Sequence, residues 1–191
     1  MVANKTKNKK VYYSGIGSHN TPEEILNLME ELAYLLAKEK YVLRSGGSQG
    51  ADTAFEAGAD RANRDFEIYL PWKNFRNREG KNYIVSPKLD NYNKAVKIAK
   101  NNHPGFEHLT QKSKKLIIRD TYQVLGKNLN CLSEFVICWT ADGCITDRDR
   151  SNITGGTGQA ISIASKRNIP IFNLKLREHK RRIKEWVSKI S

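Results

Sequence analysis

The chain is poor in cysteine, has no long apolar run and shows no zinc or disulfide pattern. Its three cysteines, Cys131, Cys138 and Cys144, lack CxxC spacing and a nearby His pair. That excludes a metal centre of the zinc-finger kind and a disulfide frame, and it points to reduced thiols in a cytoplasm. No apolar stretch approaches the roughly 18 residues a membrane span needs, so no membrane partner is expected. The first ten residues are polar and lysine-rich, without the apolar core of a secretory signal. No internal repeat and no linker divides the chain. Its 191 residues suit one domain, with a basic tail at 1–10 expected to be disordered.

Acidic residues are also scarce relative to basic ones, leaving a formal net charge of +13. The excess is clustered. Lys5, Lys7, Lys9 and Lys10 crowd the start, and residues 175–189 carry seven basic against two acidic side chains. A third block runs from Trp72 to Lys88, where Trp72, Phe75 and Tyr83 alternate with Lys73, Arg76, Arg78 and Lys81. Lys and Arg clusters attract polyanions, and aromatics interleaved with cations suit a stacked base or single-stranded nucleic acid. Solubility and a loop folded on its own aromatics account for the same residues equally well.

The pattern along the chain alternates strand and helix. Val11 to Ile16 reads as a strand. Thr21-Pro22-Glu23-Glu24 reads as a helix start, with Thr as N-cap and Pro at the first helical position. Ile25, Leu28, Met29, Leu32, Leu35 and Leu36 follow on one helical face. Strands at 41–44 and 66–70 flank a helix at 51–62. Such spacing is too wide for hairpins and predicts a parallel sheet in an α/β, Rossmann-like single domain with helices on both faces. An aperiodic loop at 71–87 and helices at 92–101 and 111–125 form an inserted region at about 71–133. A buried strand at 134–139, a helix at 160–166, a strand at 169–174 and a basic final helix complete the order.

Two glycine clusters stand at predicted strand-to-helix turns. The first is Arg44-Ser45-Gly46-Gly47-Ser48-Gln49-Gly50-Ala51-Asp52, and the second is Thr154-Gly155-Gly156-Thr157-Gly158-Gln159. Free N–H groups at a helix start, with the positive end of the helix dipole, favour phosphate or carboxylate. The first cluster lacks the Gly-Lys-Ser/Thr ending of a P-loop and the GxGxxG spacing of a dinucleotide fingerprint. Its position at a strand's carboxyl end is where open α/β sheets bind ligands. With Gly15, Gly17 and Ser18 of the first loop, the clusters outline one pocket. Arg44 is placed either to neutralise a phosphate or to form a structural ion pair.

Three carboxylates are candidates for chemistry. Asp52 opens the second helix and Glu56 follows one turn later, a pair able to bind a ribose or act as acid and base. Asp142 follows the strand at 134–139. Against these roles, Asp52 would serve as a helix cap and Glu56 as a solvated surface residue. His19 lies in the first pocket loop. Asp147, Arg148, Asp149 and Arg150 read as a solvated loop.

The stretches SGGSQGADTAFEAGA (45–59) and YYSGIGSHNTPEE (12–24) resemble the opening motifs of the DNA-processing, DprA/Smf-like proteins and the wider SLOG superfamily. GGTGQA (155–160) resembles the second glycine motif of LOG-type, lysine-decarboxylase-like phosphoribohydrolases. The resemblance implies a Rossmann-like fold that binds a nucleotide or a nucleotide-derived small molecule. In the LOG pattern, Pro-Gly-Gly-x-Gly-Thr-x-x-Glu, the last residue is catalytic. Here Thr154, Gln159 and Ser162 replace its Pro, Thr and Glu. Three readings therefore stand open: a nucleotide-binding protein, a DprA-like single-strand DNA binder, and an N-glycosidic hydrolase or transferase. No resident cofactor is implied, and a homo-oligomer is compatible with all three.

Overall fold

The computed structural model describes residues 10–190, so the expectation for the tail falls almost entirely outside the described residues. Lys10, the one tail residue within them, lies 3.8 Å from Asp65. The element order is β1 (Val11–Gly15), α1 (Glu23–Lys38), β2 (Tyr41–Ser45), α2 (Ala51–Arg61), β3 (Glu67–Leu70), β4 (Tyr83–Val85), α3 (Tyr92–Asn101), α4 (Gln111–Leu125), β5 (Val136–Cys138), α5 (Thr157–Ser165), β6 (Ile171–Asn173) and α6 (Arg177–Ile190). The six strands form one sheet in the order β4-β3-β2-β1-β5-β6, and every neighbouring pair is parallel. This is an α/β, Rossmann-like architecture.

Side chains alternate across each strand, as the period of two demands, and sort into two apolar layers. Ile68, Leu70 and Ile137 face the layer with Met29 of α1, Phe55 of α2 and Ile183 of α6. Tyr69, Val136 and Cys138 face the layer with Ala95 of α3, Ile117 of α4 and Ile161 of α5. Helices thus cover both faces, because a parallel sheet must bury both. The stripe of small residues on α2 brings it against α1: a Cβ on Gly58 would stand 2.0 Å from the Glu30 carbonyl oxygen.

Two local expectations are corrected. The segment 71–87 is not a bare loop, since Tyr83–Val85 pairs with Ile68–Leu70 as an edge strand. Thr21 does not cap α1; its hydroxyl donates to the Ser18 carbonyl (2.7 Å), and Pro22 occupies the cap position. Among the described residues no helix is long and apolar enough to cross a membrane.

Candidate functional site at the sheet's switch point

Strand order reverses between β1 and β5: from β1 the chain winds outward through β2, β3 and β4, then returns to β5 on the other side. Loops leaving two such strands diverge to opposite faces and leave a crevice between them, the usual ligand site of open α/β sheets. A cavity of about 590 Å³ lies there. Its walls are Ile16–Asn20 after β1, Ser48, Gln49 and Asp52 after β2, Asn152–Thr157 before α5, and the inner side of α4.

The floor is charged. Arg119 on α4 is 5% exposed and carries its guanidinium between two carboxylates. Its Nη1 lies 3.6 Å from Asp52 Oδ2, and its Nε lies 2.9 Å from Asp120 Oδ1. The Nε–H does not point at that oxygen, so the second contact is a charge pair without a hydrogen bond. Nη1 also donates to the Gly46 carbonyl, and Nη2 to Ser48 Oγ at 3.2 Å. With its amide turned to suit its neighbours, Gln123 donates to Asp120 Oδ1 (3.0 Å) and accepts from the Gly46 N–H (2.8 Å). Burial pushes the Asp120 carboxyl up to about 7, although Arg119 pulls the other way. Burial likewise raises Asp52, again opposed by Arg119.

The two glycine clusters do different jobs. At the start of α2 the Ser48 N–H donates to Asp52 Oδ2 (3.1 Å), so the chain's own carboxylate fills the anion position predicted there. Gly46 is closed by Arg119 and Gln123, Gly47 by Arg78 and Ile68, and Gly50 by His19 and the Ser18 carbonyl. These glycines let the backbone pass its own neighbours. At the start of α5, by contrast, a Cβ on Gly155 or Gly156 would meet nothing within 4 Å. Gly156 even has ordinary helical angles, φ −61 and ψ −30. Among the described residues, the N–H groups of Gly155, Gly156 and Thr157 have no acceptor. Three unused donors therefore sit beside open space on the cavity wall.

Several predicted residues lie elsewhere. Arg44 is buried, donating to Glu67 (2.9 Å) and the Cys131 carbonyl with Tyr12 stacked on it, so it is a structural ion pair outside the cavity. Gly15 abuts Phe55, and the Ser45 hydroxyl donates to the Gly15 carbonyl (2.6 Å). Gly17 and Ser18 do line the cavity. Gly158 is shut in by Arg150 and Thr154, and Gln159 is buried with its amide on the Ala99 carbonyl (3.0 Å). Glu56 is not a solvated surface residue. It is buried beside Arg78 (2.8 Å) and accepts from the Tyr83 hydroxyl (2.9 Å), outside the cavity.

Asp142 accepts hydrogen bonds from the Ser151 and Thr154 hydroxyls and the Cys144 N–H. Burial alone would raise it, but these bonds outweigh that and hold it at about 2. Its role is to brace the loop that presents Gly155 and Gly156. The 147–150 segment is likewise engaged: Asp147 accepts from the Ser162 hydroxyl, and Arg150 donates to the Asn102 carbonyl (2.8 Å). Of the basic loop, Trp72, Phe75 and Arg76 border a second cavity described below. Lys73 is exposed, Lys81 pairs with Asp65 (3.0 Å) and Arg78 with Glu56. Arg119, Asp120 and Gln123 were not anticipated from the sequence.

No protein-family model matches the chain, and no curated protein does. Among solved structures it is similar to DNA processing protein A from Helicobacter pylori, whose structure concerns single-stranded DNA binding. Identity is 18% over 94% of this chain and 80% of that one, with a TM-score of 0.55. Two structures of the molybdenum cofactor carrier protein from Chlamydomonas also align. Their identities are 16% and 18%, over 85% and 69% of this chain and 74% and 77% of theirs, with TM-scores of 0.48 and 0.38. The fold is therefore the open, parallel Rossmann type. In particular it is DprA-like.

Proposed function

We propose that this protein binds a nucleotide or nucleotide-derived small molecule in the switch-point cleft. Its phosphate sits on the N–H groups of Gly155, Gly156 and Thr157, and its sugar hydroxyls donate to Asp52 and Asp120. One observation carries the reading: Gly156 is a glycine that neither its backbone angles nor its neighbours require, and it lies beside three free donors at a helix start. An anion approaching that backbone supplies the missing reason. The acidic floor complements sugar hydroxyls, since a carboxyl oxygen accepts hydrogen bonds from them.

The test is calorimetry with a panel of nucleoside mono-, di- and triphosphates, together with mass spectrometry of anything that co-purifies. Saturable one-to-one binding of a panel member is expected. Absence of binding across the panel removes the reading. A second reading, cleavage of an N-glycosidic bond, is favoured by Asp120, a cavity-lining carboxyl raised to about 7 beside another carboxylate. Following free base by chromatography in the same mixtures separates the two. Intact nucleotide after long incubation leaves binding alone.

A further inference from the structure

The cleft does not end at its floor. A second cavity of about 520 Å³ shares His19, Ser48, Gln49 and Leu116 with the first and continues onto Trp72, Phe75, Arg76 and Lys112. Its aromatic wall is built from below. Phe75, 8% exposed, meets the half-buried Trp72 edge-on with ring centroids 5.0 Å apart, fixing the indole plane. The exposed Lys112 lies over the indole, its Nζ 5.7 Å from the ring centroid. The rim carrying Arg76 is conformationally unusual: Asn74, Arg76 and Asn77 all have left-handed backbone angles, with φ of 57, 54 and 60. Asparagine tolerates that region, arginine much less, and such strain gathers where a side chain must be aimed.

We propose that this annex is a stacking subsite for a second ring, so that the ligand is a pyrophosphate-linked dinucleotide rather than a mononucleotide. The inference rests on the nucleotide reading of the main cleft and extends it. One nucleoside occupies the switch-point cleft, and the second ring displaces the Lys112 ammonium from the Trp72 face. The phosphate of the cleft nucleotide stays on the N–H groups of Gly155, Gly156 and Thr157, and the linker's other phosphate meets Lys112 and Arg76; His19 is common to both cavities. A long single-stranded polynucleotide fits these residues less well. Arg78 and Lys81 are engaged with Glu56 and Asp65, and the cleft floor holds Asp52 and Asp120.

Calorimetry on the full chain with ADP as a one-ring probe, diadenosine diphosphate and NAD as two-ring probes, and a 15-mer of thymidylate tests this. At least one two-ring probe should bind about tenfold tighter than ADP, the scale of one stacked base. Trp72→Ala and Trp72→Leu should each remove most of that advantage while leaving ADP affinity within about twofold. Trp72→Leu, which keeps an apolar side chain against Phe75 but offers no stacking face, keeps the test sound should Trp72→Ala fail to fold. Equal affinity for ADP and both two-ring probes, or variants that leave the advantage intact, overturns the annex while leaving the main-cleft reading standing. Binding of none of these nucleotides removes the main reading instead. Displacement of bound two-ring probe by the 15-mer at comparable affinity overturns the dinucleotide assignment in favour of nucleic acid.

Discussion

Arg119 Nη1 on α4 stands 3.6 Å from Asp52 Oδ2 on α2, joining helices from opposite faces of the sheet past the ends of its strands. The same guanidinium faces Asp120 and donates to the Gly46 carbonyl. Removing it would leave two carboxylates, each less than a tenth exposed, without their cation. Breaking a buried pair from one side costs about 3–5 kcal/mol. Arg119→Met should therefore lower the urea midpoint markedly, and Arg119→Lys should recover only part of it, since one ammonium cannot reproduce the planar fork. An unchanged midpoint for Arg119→Met would show that the cluster contributes nothing to the fold.

A pH dependence follows from Asp120. Its folded value, about 7, lies above the ordinary 3.8, so its protonated form suits the folded state. The associated stability is complete below about 3.8 and is lost as pH rises through about 7. Asp52, raised by burial, acts in the same direction. Asp142, lowered to about 2, acts in the opposite direction, but only as pH falls below the ordinary carboxylate value. His103 and His179, both lowered by burial, oppose this equally in the wild type and in a variant, so between pH 5 and pH 8 the melting temperature should drop more, or rise less, in the wild type than in Asp120→Asn. Equal changes in the two proteins would mean that Asp120 is not the group responsible.

The sheet was legible because its signals are local. Glycine turns, alternating strands and amphipathic helices each speak within about fifteen residues, and the helices at 92–101 and 111–125 match α3 and α4. The edge strand Tyr83–Val85 was missed because three residues between Asn82 and Ser86-Pro87 are too short to show alternation. Arg119 and Asp120 were missed for a different reason. They sit in mid-helix, away from any loop motif, and a charged pair on a helix usually faces water. The available signal was their setting: Ile117 and Ile118 before them and Tyr122, Val124 and Leu125 after them leave little room for a solvated face. Nor could the first glycine cluster reveal that Asp52 already fills its anion position, because that depends on how Ser48 folds back.

The sorting of glycines gives the sharpest test of the site. Gly58→Ala forces a Cβ to 2.0 Å from the Glu30 carbonyl, where α1 and α2 meet. Overpacking at a helix contact costs about 1–3 kcal/mol, more when the obstacle is backbone. Gly156→Ala meets nothing and needs no change of φ. The gain from a less flexible unfolded chain offsets alanine's weakness as a cap residue, so stability should move by less than about 1 kcal/mol. The new methyl would nevertheless stand at the cavity wall beside the donors of Gly155 and Thr157. Gly156→Ala should thus melt like the wild type yet lose about tenfold or more in nucleotide affinity, while Gly58→Ala melts early. The measurement is a thermal melt paired with calorimetry on the same preparations. Wild-type affinity in Gly156→Ala would show that the ligand does not approach α5, and the phosphate position proposed here would be wrong.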